Sequence, residues 1–161
     1  MKQTNYDLFF SYIEDLLADD TVRAMRDIRQ HTDCVTRLSH SLFVAYLSYR
    51  ICRFFHLRSV EAARGALLHD LFDYDQHAPE NHRGHLRKHP FVALHNASAL
   101  FALSPVERDA IVHHMWPLNI TARPNSKEAA VVCISDKLCS IAEVSRLYLL
   151  FRMNRKLAPG F

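Results

Sequence analysis

The sequence predicts an all-α fold, a single-domain helical bundle of about six to eight helices, and three observations support it. The chain has 161 residues, which suits one domain with a buried core. It contains only 3 glycines, too few for a turn-rich all-β protein. Apolar residues recur at helical spacing, with no linker, repeat or low-complexity segment. We therefore expect one domain over 1–161, with its core at about 31–145 and a frayed basic tail at 152–161.

Capping residues and apolar stripes indicate the helices of the N-terminal part. Asp20 or Thr21 can cap the second of these helices, and Ser59 can cap the fourth. The third is the longest, and its apolar stripe includes Leu38 and Leu42. The predicted ranges are 6–18, 20–30, 35–55 and 60–70.

Prolines and polar loops divide the C-terminal part. The stretch 72–88 contains Pro79, Gly84 and mixed charges, which predicts a loop. Pro90 fits the first turn of the next helix, where its missing N–H costs nothing. The predicted helices are 89–102, 104–115 and 127–155, and a second polar loop covers 118–125.

Composition excludes several classes of protein. The formal net charge of +3 is too small to indicate a nucleic-acid or membrane partner, although it is compatible with an anionic small substrate. The first helix carries acidic residues, unlike a signal peptide, and no apolar run reaches bilayer-spanning length. We therefore expect a cytoplasmic protein. Its cysteines show no CxxC spacing and are predicted to be reduced core thiols: Cys34, Cys52, Cys133 and Cys139.

Histidines and aspartates of the metal-binding type fall at inward or terminal positions of different helices. The chain has 11 histidines, and histidine is the commonest metal ligand. Asp70 alone could cap a helix, and Asp136 alone could pair with Arg37. Taken together, the positions favour a metal site assembled between helices, as in other helical bundles. The candidate ligands are His40, His69, Asp70, His89, His113, His114 and Asp136.

Three segments carry a family resemblance: "TRLSHSLFVAYLSYRIC", "ALLHDLFDYD" and "CISDKLCSIAEV". In their order and local context they resemble the HD superfamily of metal-dependent phosphohydrolases, over about 31–143. The superfamily's signature is a helix-borne His, a His–Asp pair at a helix end and a distant Asp. Carried over by position, the resemblance implies that the catalytic residues and first-metal ligands are His40, His69, Asp70 and Asp136.

Two-metal members of the superfamily add further histidines, and this chain has them in the right order. The resemblance implies that Asp70 bridges two metals and that His89 and His114 hold the second, with His113 as a further candidate. The stretch "MWPLNITARPN" lacks the motif of the HD-GYP branch, and Thr36 stands where a third-metal Glu would be. We therefore expect a stand-alone HD domain with one or two divalent transition metal ions per chain, of Fe, Mn, Zn, Co or Ni.

The expected activity is hydrolysis of a phosphoester of a nucleotide or similar small phosphorylated molecule by a metal-bound hydroxide. Four basic residues are candidates for binding the phosphate. His77 and Lys88 lie near predicted ligands in sequence, Lys137 follows Asp136, and Arg123 lies in the second polar loop.

Two alternatives stay open at this point. Some HD-fold proteins use a di-iron site as oxygenases, and a non-catalytic metal-binding helical sensor or interaction module would need the same ligands. No GxSxG, HExxH or P-loop pattern is present, and nothing indicates an obligate nucleic-acid partner or a membrane. An exposed face of Phe9, Phe10 and Tyr12 would suit a homodimer, so monomer and homodimer are both compatible with the sequence.

Overall fold

A computed structural model describes residues 4–32, 34–72, 74 and 84–145. The described residues form eight α-helices, one 3-10 helix at Met25–Asp27 and no β-strand, which confirms the all-α prediction. None of these helices is both long and apolar enough to cross a bilayer. The helices are α1 (Asn5–Ser11), α2 (Glu14–Ala18), α3 (Asp20–Ala24), α4 (Arg37–Phe54), α5 (Ser59–Leu68), α6 (His85–Leu100), α7 (Pro105–His113) and α8 (Lys127–Val144).

Side-chain caps fix where the central helices begin. At α7 the Ser104 hydroxyl accepts from the Glu107 N–H at 3.2 Å, and the Glu107 carboxylate accepts from the Ser104 N–H at 2.6 Å. Pro105 occupies the first helical position, where its missing N–H leaves no bond unmade. Thr36 and Ser126 cap α4 and α8 with their hydroxyl oxygens.

Helices α4 and α5 form the centre of the bundle. Helix α4 packs against α5 and α8, α5 packs against α7, and α7 packs against α6 and α8. The residues that follow α5 and α7 therefore meet the middle of α8, where Asp136 and Lys137 lie. Phe9 of α1 is fully buried against Tyr46 and Tyr49 of α4, and Phe10 and Tyr12 pack on the same core. The prediction of an exposed face at these α1 positions is wrong, because the aromatic residues of α1 cover α4.

Gly65 allows α5 and α7 to approach closely. A Cβ atom at this position would lie 2.9 Å from the Ala110 Cβ and 3.2 Å from the Glu107 Cα. The first distance is shorter than van der Waals contact, so any larger residue would push the helices apart. The two helices carry His69–Asp70 and His114 just beyond their C-terminal ends.

We expect Gly65→Ala to lower the free energy of unfolding by about 1–3 kcal/mol, because the added methyl group overpacks this crossing. Urea denaturation would measure the loss. His95→Ala, at an exposed position of α6, serves as the control and should change stability little. A Gly65→Ala variant at least as stable as the parent would contradict the close approach, because alanine is otherwise the better helix former by about 1 kcal/mol.

The first predicted helices are shorter than the sequence pattern indicated. The pattern at 6–18 breaks at Tyr12 and Ile13 into α1 and α2. In place of the helix predicted at 20–30, the structure has the short helix α3 followed by a 3-10 turn. An isolated β-bridge then pairs Arg29 with Thr36. This extended backbone lets the Gln30 side chain reach Asp70, which a continuous helix would not provide.

Helix α6 begins four residues earlier than predicted, at His85 instead of His89. Gly84 precedes it with φ of 78°, a left-handed conformation that favours glycine. Pro90 is therefore inside the helix and not in its first turn. Residue 90 therefore donates no hydrogen bond to the Leu86 carbonyl, which lies in the first turn of the helix.

Several further helix boundaries and one cysteine differ from the predictions. Helix α4 begins at Arg37 instead of residue 35, and α7 ends at His113 instead of residue 115. Helix α5 ends at Leu68, so His69 and Asp70 follow it directly, and α6 ends at Leu100. Helix α8 is described as far as Val144, and the predicted tail at 152–161 lies beyond the described part. All four cysteines are free, but Cys34 is exposed, because it lies in the segment between Arg29 and Thr36 and not in a helix.

Candidate metal centre

The structure brings six of the seven candidate ligands into one buried cluster. Their ligand atoms form overlapping groups of three in which all atoms lie within 4.8 Å of one another. Each residue is at most 6% exposed, and they come from α4, α6, α8 and the residues that follow α5 and α7. The six residues are His40, His69, Asp70, His89, His114 and Asp136.

His89 and His114 point their Nε2 atoms at each other, 2.8 Å apart. The Nδ1 of His89 lies 2.8 Å from the His85 carbonyl, and the Nδ1 of His114 lies 2.8 Å from the Ile111 carbonyl. Because a carbonyl only accepts, both Nδ1 atoms carry the hydrogen in the neutral rings and both Nε2 atoms present lone pairs. Two lone pairs at this distance repel each other unless a cation lies between or beside them.

His69 and His40 are oriented in the same way. The Nδ1 of His69 donates to the Ala66 carbonyl at 2.6 Å, and its buried Nε2 has no hydrogen-bond partner among the described residues. The Nδ1 of His40 lies 3.0 Å from both oxygens of Glu143, so its Nε2 faces Asp136 Oδ1 at 3.1 Å. A buried imidazole nitrogen with a fixed orientation and no hydrogen-bond partner among the described residues is suited to bind a metal ion.

Asp70 lies between the two pairs of histidines. Its Oδ2 is 3.5 Å from His69 Nε2, whereas its Oδ1 is 3.5 Å from His89 Nε2 and 3.6 Å from His114 Nε2. Gln30 donates to Oδ2 at 2.6 Å and so fixes the rotation of the carboxylate. The two oxygens of one acid thus face different groups of nitrogen ligands.

The acids of the cluster favour positive charge beside His40 and His69. Burial lowers the pKa of His40, but its hydrogen bonds with Asp136 and Glu143 outweigh burial and raise that pKa to about 10. Burial likewise opposes the charge on His69, yet Asp70 and Asp136 raise its pKa. The surroundings of these two imidazoles therefore suit a cation, which a proton or a metal ion can supply.

The second pair of histidines is held neutral. Burial and the neighbouring imidazoles lower the pKa of His114 well below its ordinary value, and burial lowers that of His89. Burial raises the pKa of Asp70, but the histidines around it outweigh burial and keep it ionised. Neutral imidazoles and an ionised carboxylate are the forms that bind divalent metals.

Several polar side chains of this site were not predicted, among them His31 and Ser140 of the pocket lining and two that orient ligands. Glu143 is 1% exposed and holds His40, and Gln30 is 2% exposed and holds Asp70. A signal for Glu143 existed, because it extends the inward stripe of Asp136 and Cys139 by one further turn of α8. Gln30 lies in a segment predicted to be helical, and nothing in the local pattern distinguishes it.

Arg37 donates hydrogen bonds to the Gln30 side chain and to the Phe72 carbonyl, so the alternative pairing of Arg37 with Asp136 is not seen.

The seventh candidate, His113, faces away from the cluster. Its Nδ1 lies 2.6 Å from Asp109 Oδ1, and it belongs to none of the groups of possible ligands. Asp109 also accepts hydrogen bonds from the backbone and side chains of Asn125 and Ser126 at the start of α8. His113 therefore belongs to the junction of α7 with α8, one residue away from the site.

We expect His113→Ala to retain the metal content of the parent protein, and His114→Ala to lose the ions bound on that side. Elemental analysis per folded chain would measure both. The two variants make the same substitution at adjacent positions, so each is the control for the other. Equal metal loss in both would show that His113 contributes more than the structure indicates.

The structure brings Lys137 to the site but does not bring Lys88 or Arg123 there. The Lys137 Nζ lies 2.7 Å from Asp136 Oδ2 and 2.7 Å from the His114 carbonyl, at the edge of the cluster. Lys88 and Arg123 are exposed and do not line the pocket over the site. His77 lies outside the described residues.

A pocket of about 200 Å³ opens over the cluster. Its floor includes Asp70, His89, His114 and Asp136, so the ligand atoms are accessible from this side although the residues are buried. Lys137 and His31 also line it. The pocket is the route by which a small anion can reach the floor of the cluster.

A family model described as HD domain matches residues 37–141, which is more than half of the 161 residues. Comparisons with curated proteins and with solved structures found no match. The matched stretch begins with α4 and ends within α8, and it includes all six residues of the cluster but neither Gln30 nor Glu143. The chain therefore belongs to the HD domain family, whose members are generally metal-dependent phosphohydrolases.

Proposed function

We propose that this protein is a two-metal phosphohydrolase that cleaves a small phosphoester, with a nucleotide among the substrates to be tested. The observation that carries the proposal is the convergence of four imidazole Nε2 atoms on Asp70 and Asp136. Their Nδ1 atoms are all engaged by acceptors, so the lone pairs of Nε2 face the centre. Such a donor set fits divalent transition metals.

We assign the ligands to two groups that share Asp70, one group for each ion. His40, His69, Asp70 and Asp136 would hold the first ion, and His89 and His114 would hold the second together with Asp70. The two groups adjoin, because the ligand atom of His114 also lies within 4.8 Å of those of His69 and Asp136. Bound divalent ions supply Lewis acidity towards phosphate oxygens and make water more acidic. In the overall reaction water adds to phosphorus, the ester P–O bond breaks, and the alcohol leaves with a proton.

Residues of the chain prepare the site for an anion. The backbone carbonyls at His85, Ile111 and Ala66 fix the orientation of three imidazoles before any ion or substrate binds. Lys137 holds Asp136 and adds a positive charge at the wall of the pocket, where it can attract a phosphate group.

Metal analysis and turnover together test this proposal. Untagged protein purified without chelator should carry about two equivalents of transition metal per chain, and it should hydrolyse phosphomonoesters when loaded with Mn, Fe, Co, Ni or Zn. Iron with oxygen-dependent turnover would favour the oxygenase instead. Tight metal with no turnover would favour a sensor, and no metal after reconstitution would overturn every metal-dependent function.

A further inference from the structure

Two kinds of side chain line the pocket over the cluster, besides the four residues of its floor. The polar ones are Gln30, His31, Lys137 and Ser140. The apolar ones, which we call the apolar wall, are Leu86, Met115 and Leu118. The polar residues and the floor of metal-type ligands suit a phosphate group, whereas apolar side chains do not bind an anion.

Two leucines of the apolar wall are largely exposed to solvent. Leu86, in the first turn of α6, is 53% exposed, and Leu118, in the segment after α7, is 68% exposed. Single exposed leucines are ordinary, but these two line the same small pocket beside a row of buried ionisable groups. Apolar surface at the rim of a concave polar site is the usual sign of contact with a ligand.

The described walls are poorly suited to a nucleobase. Bases are held by stacking on aromatic rings and by hydrogen bonds to their edges. Among the described lining residues there is no Phe, Tyr or Trp, and the Gln30 amide already bonds Asp70 and Arg37. The volume of about 200 Å³ is also below the range of about 300–1,000 Å³ typical of drug-sized ligands.

We propose that the pocket binds phosphomonoesters of compact apolar alcohols, with the phosphate towards Asp70 and the alkyl group against Leu86 and Leu118. The binding of the phosphate rests on the proposed function. The new element is the chemical class of the organic group, which the apolar residues in the pocket lining indicate.

Binding of non-hydrolysable alkylphosphonates tests the inference without turnover. Calorimetry on the Mn²⁺-loaded protein would compare methyl-, propyl- and butylphosphonate with 3-hydroxypropylphosphonate, which matches the butyl compound in size but is polar at its end. We expect the affinity to rise about fourfold for each methylene that leaves water, and the hydroxyl to reverse the gain. AMP should bind more weakly than butylphosphonate.

Variants locate the effect on the apolar wall. Leu86→Ser and Leu118→Ser should flatten the rise of affinity with chain length. Leu138 lies in α8, is 50% exposed and does not line the pocket, so Leu138→Ser should leave the rise of affinity with chain length unchanged. A flat series in the parent protein, or AMP binding tighter than butylphosphonate, would overturn the inference and leave the hydrolase proposal standing.

Measuring turnover tests the hydrolase proposal independently of the apolar wall. A rise of affinity with chain length in a protein that hydrolyses no phosphomonoester would support the apolar wall and overturn the hydrolase. Failure of the metal-loaded protein to bind any phosphonate would overturn the inference about the apolar wall, and turnover of phosphomonoesters would still decide the hydrolase proposal.

Discussion

Asp70→Ala is expected to remove both ions and to lower turnover by more than about 100-fold, beyond the usual effect of losing a residue that only supports a ligand. The reason is geometric, because Oδ2 faces His69 and Oδ1 faces His89 and His114. Removing the acid also leaves imidazoles with no shared anion beside them. Elemental analysis and phosphomonoester turnover would measure the two losses, with circular dichroism to establish that the variant is folded.

Substituting a ligand of the second ion only should have a smaller effect on metal content than Asp70→Ala. His89→Ala removes a ligand that faces only one side of Asp70, so we expect it to keep about one ion per chain. Asp70→Asn keeps the shape of the side chain and loses its charge, which separates the charge from the packing. Full metal content in Asp70→Ala would remove the assignment of Asp70 as the shared ligand.

Glu143→Gln should weaken binding of the first ion by about 10–100-fold, as is typical when the partner of a metal-binding histidine is changed. The Glu143 carboxylate accepts from His40 Nδ1 and thereby aims Nε2 at Asp136. A neutral amide can accept the same hydrogen bond but withdraws the negative charge that favours a cation there. Metal titration, followed by competition with a chelator of known affinity, would measure the change.

Glu128→Gln is the matched control for this experiment. Glu128 is a buried acid of the same helix, it bonds Arg58, and it lies outside the cluster. The control should lose stability without losing affinity for metal. Equal losses of affinity in both variants would assign the effect of Glu143 to the general stability of α8 and not to the orientation of His40.

The parts of the fold that local chemistry determines could be predicted from the sequence. Ser104, Pro105 and Glu107 combine a cap, a first-turn proline and a capping box, and α7 begins where they indicate. The start of α6 could not be predicted from Pro90, because a proline pattern of this kind indicates a first turn at residues 89–90. In the structure the left-handed Gly84 precedes the helix, which begins at His85. The break between α1 and α2 likewise depends on packing over α4, which no local pattern contains.

The site likewise combines residues that the sequence could predict with residues that it could not. The six residues of the cluster lie on inward stripes or at helix ends, and these positions together with the family resemblance predicted one shared site, although the same reasoning also included His113. The supporting residues depend on contacts between distant segments, since Gln30 and Asp70 are 40 residues apart, and His40 and Glu143 are 103 apart. Such pairs have no local pattern, and only the fold brings them together.

The junction at Asp109 sets a limit on the acid tolerance of the fold that holds the site. Burial raises the pKa of Asp109, but hydrogen bonds from Ser126, Asn125 and His113 outweigh burial and lower it below the ordinary 3.8. A carboxyl with a lowered pKa stabilises the fold fully above its ordinary pKa and loses that contribution as the pH falls through the lowered value. Acid therefore loosens the attachment of α7 to α8, and with it the spacing between His114 and Asp136.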